Sequence, residues 1–226
     1  MKIDVLSLFP EMYMGFISES IMKRAMDNNL VDIKIHNIRD YSKNKHKKVD
    51  DYGFGGGKGM VLMIQPIYDA LMDLKTPDSK IIMMTPQGEK YTQKKAYDLS
   101  CEKNLIILCG HYEGFDERIR SLVDMEISIG DFVLTGGEIP SLVLIDSITR
   151  LIDGVIQKDS HEKDSFNNNL LDYPVYTKPV EFMGMKVPDV LLSGHHENIN
   201  KWRLEQQIEK TKSRRPDLLE KSDFND

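Results

Sequence analysis

Three short stretches set glycine or proline beside polar side chains where apolar runs end. They are "TPQGEK" (Thr85–Lys90), "GHYEGFDER" (Gly110–Arg118) and "TGGEIP" (Thr135–Pro140). In open α/β sheets, ligands bind outside the carboxyl ends of the strands. Three such loops at one edge would make a pocket wall built mainly of backbone. Its N–H and C=O groups can read the edge of a planar polar heterocycle such as adenine. Three routine turns are the alternative. The glycine pair in "GDFVLTGGEIP" (Gly130–Pro140) sharpens the choice. Glycine costs conformational entropy, so the backbone there needs positive φ or something approaches it closely.

A second pair of residues could move a proton. Asp164 sits in the polar stretch "HEKDSFNNNLLDYP", and Arg150 closes the helical pattern that follows the glycine corner. A carboxylate beside a guanidinium suits proton removal from a ring nitrogen next to a carbonyl: the carboxylate takes the proton and the guanidinium steadies charge on the oxygen. Spacing alone leaves this open. Other chemistries fit less well. "DYGFGGGKGM" fails as a P-loop, because Gly53 to Gly57 encloses three residues and Gly59 follows Lys58 where Ser or Thr is needed. It reads as a mobile flap with no clear strand before it. His195 and His196 are adjacent, so their side chains diverge, and His36, His46, His111 and His161 stand apart without metal spacing. Cys101 and Cys109 lack an activating neighbour, and Ser141 and Ser193 lack a nucleophile elbow.

The elements that must position these residues alternate. Buried strands are predicted at "KIDVLSLF" (Lys2–Phe9), "KIIMMT" (Lys80–Thr85), "NLIILCG" (Asn104–Gly110) and "ISIGDFVLT" (Ile127–Thr135), with an edge strand at "VDIKIHNI". Helical patterns lie between them at "PEMYMGFISESIMKRAM", "IQPIYDALMDL", "TQKKAYDLSC", "DERIRSLV" and "IPSLVLIDSITRLI". Alternation of this kind predicts an α/β domain with a mostly parallel sheet over residues 1–156. Residues 157–169 read as a polar linker carrying Asp164. Residues 170–226 read as a small, mainly helical domain ending in a basic helix from about Glu197 to Lys212.

The 226 residues carry a net charge of −6, with no membrane-length apolar run and too few cysteines for a disulfide framework. A reduced, cytoplasmic protein is expected, and the N-terminus reads as a first strand rather than a signal peptide. Charge is uneven along the chain. "RDYSKNKHKK" (Arg39–Lys48) is strongly basic, and "KWRLEQQIEKTKSRR" (Lys201–Arg215) carries basic residues in excess. Both are either solvated surface or phosphate-neutralising patches, which act at short range even on an acidic protein. These features leave an RNA-binding module without chemistry and a nucleotide hydrolase as alternatives to an enzyme that uses the three loops.

"CGHYEGFDER", "IGDFVLTGGEIP", "LIDSITRLIDGV", "DSFNNNLLDYPVYTKP" and "VPDVLLSGHHENINKWR", in this order, resemble the bacterial tRNA (guanine-N1)-methyltransferases of the SPOUT superfamily. The resemblance runs from "LSLFPEM" to "RRPDLL", nearly the whole chain. It implies methyl transfer from S-adenosylmethionine to the guanine at tRNA position 37, just 3′ of the anticodon. Another tRNA position is the alternative. It also implies a trefoil-knotted α/β domain, a homodimer with active sites shared between chains, and dependence on magnesium (Mg2+) with ligands that cannot be placed. Carried over by motif, the cofactor site comprises Met84, Thr85 and Pro86, then Gly110, Tyr112, Glu113 and Gly114. It continues with Ile129, Gly130, Asp131, Phe132, Val133 and Leu134, then Gly136, Gly137 and Pro140. Asp164 becomes the general base and Arg150 the stabiliser of charge on the guanine oxygen. The tRNA contacts expected are His195, Lys210, Lys212, Arg214 and Arg215. Gly53 and Lys58 depart from the family's glycine loop, and Lys163 stands where an acid is common.

Overall fold

A computed structural model describes residues 1–157, 164–166 and 168–219. Most of the predicted linker, including Lys163, lies outside the described residues. The chain divides into two compact units, Met1–Gln157 and Lys158–Asp226.

The first unit is built on five strands: β1 (Lys2–Ser7), β2 (Asp32–Asn37), β5 (Ser79–Lys90), β6 (Asn104–Cys109) and β7 (Met125–Ser128). Their order is β2-β1-β6-β5-β7, and every pairing is parallel. A parallel sheet has helices on both faces, so its strands are apolar on both sides. Alternate residues divide accordingly. Ile3, Val5, Leu105, Ile107 and Cys109 face one core, with α2 (Ser20–Asp27), α4 (Gln93–Ser100) and α5 (Glu138–Thr149). Leu6, Ile81, Ile106 and Leu108 face the other, with α3 (Ile64–Leu74). Each fully buried Ile or Leu contributes about 1.5–3 kcal/mol, which fixes the strands and therefore their carboxyl ends.

Four expectations need correction. "PEMYMGFISESIMKRAM" is a 3₁₀ turn (Pro10–Tyr13), a single helical turn α1 (Met14–Ile17) and then α2. The break falls at "SES", where Ser20 takes φ 51° and serine hydroxyls compete for backbone partners. "DERIRSLV" is 3₁₀ over Glu117–Leu122 rather than α. The glycine loop does have a strand before it: it joins β3 (Asp50–Tyr52) to β4 (Met60–Leu62), an antiparallel hairpin too short for a period-two signal. Finally, "TPQGEK" is not a loop but the continuation of β5. It carries a bulge, since Met84 and Glu89 both pair with Ile127. Gly88 makes that possible, for a Cβ there would lie 2.4 Å from the Ile127 nitrogen.

In the second unit, a tight hairpin (Glu181–Phe182 with Met185–Lys186) precedes a short helix, Asp189–Leu192, and a long one, His196–Arg214. Segment 171–173 is strapped along the long helix. Leu171 donates its N–H to Thr211 Oγ1 at 2.8 Å, Lys210 Nζ donates to the Asp172 carbonyl at 2.9 Å, and the Arg203 guanidinium lies 4.7 Å from the Tyr173 ring centroid.

Candidate active site

The carboxyl ends of β5, β6 and β7 enclose a cleft of about 370 Å³, in the size range of small-molecule sites. Every cofactor candidate named from the sequence lines it except Asp131, which is exposed. Met84, Thr85 and Pro86 come from the bulged end of β5. Gly110, Tyr112, Glu113 and Gly114 follow β6. Residues from Ile129 to Pro140 close the third side.

That third side is not the buried strand expected. The ladder of β7 stops at Ser128, whose hydroxyl accepts from the Gly130 N–H at 3.2 Å and donates to the Gly130 carbonyl at 3.0 Å. Gly130 takes φ 150°, and a Cβ on it would meet the Phe132 ring at 2.7 Å. Phe132, Val133 and Leu134 are therefore exposed along the cleft instead of packed in a sheet.

The glycine pair is explained by close approach. Gly137 donates its N–H to the Gly110 carbonyl at 2.8 Å, and a Cβ there would stand 2.6 Å from Cys109 Cα. Gly136 forms an antiparallel bridge to His111, and its Cβ would strike the His111 ring at 2.3 Å. The loop after β7 is thereby clamped to the loop after β6, across the end of β5.

Beneath the clamp runs a buried polar network that the sequence reading missed. Glu138 is 1% exposed. One carboxylate oxygen accepts from Ser7 Oγ at 2.6 Å, and the other lies 2.6 Å from His111 Nε2. Ser141 Oγ bonds the Glu138 carbonyl at 2.7 Å, and Tyr13 Oη bonds Ser141 Oγ at 2.6 Å and Cys109 Sγ at 3.2 Å. Burial above all, with the neighbouring thiol, raises the Tyr13 phenol well above its ordinary range. Burial likewise pushes the Cys109 thiol up to about 12. Both stay neutral at physiological pH, so they support the wall rather than react. At the rim, Arg120 pairs with Glu117 at 2.9 Å and also with Glu126 and Gln87.

The catalytic candidates lie in different units. Arg150 caps the C-terminal end of α5 and is half-buried. Asp164 borders a cleft of about 180 Å³ in the second unit, with Tyr173, Asn200, Arg203 and Gln207 among its neighbours. The Arg203 Nε is buried there and has no hydrogen-bond partner. Of the tRNA candidates, His195, Lys212 and Arg214 are exposed. Lys210 is held by the Asp172 carbonyl. Arg215 bonds Asp217 at 2.8 and 2.7 Å, which raises its pKa further. Among the described residues, no group of three or more His, Cys, Asp or Glu could hold a metal ion, and no helix is long and apolar enough to cross a membrane.

The family model for tRNA (Guanine-1)-methyltransferase TrmD matches residues 1–221. The chain belongs to that family. It is 57% identical over 222 residues to a tRNA (guanine-N(1)-)-methyltransferase of Ureaplasma urealyticum serovar 10, covering 98% of this chain and 97% of that protein. It is 56% identical over 225 residues to a protein of the same name from Halalkalibacterium halodurans (97% and 92% covered), and 54% identical over 224 residues to one from Staphylococcus aureus strain Newman (98% and 91%). Membership sets aside the nucleotide hydrolase and the RNA-binding module without chemistry.

Proposed function

We propose that this enzyme transfers a methyl group from S-adenosylmethionine to N1 of the guanine at tRNA position 37, in the cytoplasm, as a homodimer. Beside family membership, the observation that carries this reading is the backbone-walled cleft at the ends of β5, β6 and β7. Its polar backbone can read an adenine edge, and exposed Tyr112, Phe132 and Leu134 offer apolar cover. S-adenosylmethionine, when bound, supplies an electrophilic methyl on a sulfonium.

The chain's own residues do the rest. Guanine N1 carries a proton near neutral pH, so a base must remove it as the methyl arrives. The Asp164 carboxylate accepts that proton, and the Arg150 guanidinium steadies the negative charge that grows on the guanine oxygen. His195, Lys212 and Arg214 contact phosphates, which position the tRNA without reading its sequence. Magnesium's ligands are not assigned: no group of three or more His, Cys, Asp or Glu among the described residues could hold it, and no step above runs through it.

Dimerisation is supported by α5. Leu144, Ile145 and Ile148 are buried in the core, yet Ile139 and Val143 on the opposite side are exposed, near-neighbours in helical spacing. Asp146 and Ser147 share that side, so it is a mixed surface whose apolar pair a partner can cover. A second copy would cover it, and would let Asp164 of one chain serve the cofactor loops of the other. The trefoil knot is supported by the Gly137–Gly110 bond, which brings the chain back from the edge strand β7 past β5 before α5 begins.

The deciding experiment incubates tRNA transcripts with labelled S-adenosylmethionine and maps the modified base. Label at N1 of guanine 37, lost on Asp164→Ala, is expected. Label at another position, or none with folded protein, overturns the reading.

A further inference from the structure

The chemistry above makes no use of Glu138, yet a buried acid needs a physical reason. Glu138 is 1% exposed, and a carboxylate withdrawn from water is strongly disfavoured unless partners meet its charge. Here the partners are few. One oxygen accepts from Ser7 Oγ at 2.6 Å, and the other lies 2.6 Å from His111 Nε2. Ser7 Oγ itself accepts the Phe9 N–H at 2.9 Å, which leaves its own proton for Glu138. A glutamine of the same shape would fill the space and bridge the same two residues with less desolvation. Support of the wall therefore does not account for an acid. What the acid adds is charge.

Three observations bring that charge to the cleft. Glu138 is the first residue of α5, and Gly136, Gly137 and Pro140 around it line the cleft. A helix ends there in about half a positive charge, which on its own would repel a cation. Next, a Cβ on Gly136 would lie 2.7 Å from Glu138 Oε2, so this oxygen stands directly behind cleft-lining backbone. Last, the other charges do not substitute for it. Among the described residues lining the cleft, Arg120 is the one Lys or Arg, and it pairs with Glu117 and Glu126. Glu113 and Glu117 are exposed, where water and salt screen them. Glu138 acts from the interior, where an effective dielectric well below that of water carries a charge further.

We propose that Glu138 is a specificity-determining residue: its buried negative charge reverses the field of the α5 N-terminus, so that the cleft favours a sulfonium over the neutral thioether left after methyl transfer. This rests on the S-adenosylmethionine reading above. The two ligands differ by one methyl and its positive charge. Backbone contacts to the adenine edge hold both alike, and a charge in the wall tells them apart. Loss of the positive charge on transfer then loosens the used cofactor and clears the cleft for the next.

The test is calorimetry on the full chain, with S-adenosylmethionine and S-adenosylhomocysteine titrated separately. Native protein should bind the sulfonium more tightly; a thioether bound as tightly overturns the proposal before any variant is made. Glu138→Gln keeps the shape and removes the charge. It should lower the affinity ratio of the two ligands about tenfold, chiefly through weaker S-adenosylmethionine binding. Glu138→Asp keeps the charge and should keep the native ratio, even where its shorter side chain weakens both ligands. Ser7→Ala removes one hydrogen bond and leaves the charge, so it too should keep the ratio. A ratio that survives Glu138→Gln, or that Ser7→Ala shifts equally, overturns the proposal, because a merely structural residue moves both ligands together. If both ligands bind and the ratio is indifferent to Glu138, only this proposal falls; if native protein binds neither, the function proposed above falls and takes this one with it.

Discussion

Gly136 and Gly137 are small because the chain itself crowds them. A Cβ on Gly137 would meet Cys109 Cα and one on Gly136 the His111 ring. Gly137→Ala must push two backbones apart, so it should cost about 1–3 kcal/mol, read as a lower urea midpoint at unchanged slope. Cys109 offers a second check. Burial raises its thiol to about 12, so its stabilising contribution is complete below the ordinary thiol pKa and is lost as pH rises toward 12. At pH 8 a thiol reagent should modify exposed Cys101 quickly and Cys109 only after unfolding; rapid reaction of both in native protein would contradict the burial. Residue-level placement was legible where motifs are contiguous, as in "TGGEIP", which lines the cleft. Ser7 and Tyr13 were not, because their partners Glu138 and Ser141 lie 131 and 128 residues away, and no local pattern marks a contact of that span.

Strands with apolar residues on both faces announced themselves, as β1 and β6 show, whereas the run Phe132–Leu134 misled. Hydrophobicity alone cannot separate a strand from an apolar cleft wall, and the ladder is ended by the Ser128–Gly130 bonds, which periodicity does not register. The α5 helix is ambiguous for a related reason: Asp146 and Ser147 share a side with Ile139 and Val143, so its apolar residues mark no single face. Its exposed side gives a prediction. Val143→Arg sets a cation in the proposed dimer seam while Leu144, Ile145 and Ile148 keep the helix packed. Sedimentation should show a folded monomer, with methylation reduced at least a hundredfold. A fully active Val143→Arg dimer would place the interface elsewhere. The C-terminal helix divides in the same way: Lys210 and Arg215 are engaged internally, so Lys212→Ala with Arg214→Ala is the cleaner test. The pair should flatten the salt dependence of tRNA binding by about two and leave cofactor affinity unchanged.

At the scale of the molecule, the chain places its candidate cofactor loops in one unit and Asp164 in the other. A shared dimeric site requires that two defective chains repair each other. Asp164→Ala removes the proposed base and leaves the cleft intact, so its homodimer should bind cofactor without methylating. Gly136→Val is a poor complement, since its side chain would displace His111 and Glu138 and disturb the clamp itself. Leu134→Arg is better: Leu134 is exposed in the cleft, and a guanidinium there opposes a cationic sulfonium without touching the buried network. Its homodimer should be inactive for want of cofactor. Mixed and allowed to exchange, the two chains should regain activity, because a heterodimer holds one site with both an intact cleft and an intact Asp164. At equal mixing, half the dimers are hetero and each carries one working site of two, so about a quarter of native activity is expected. Verified heterodimers that remain inactive would mean that Asp164 serves its own chain.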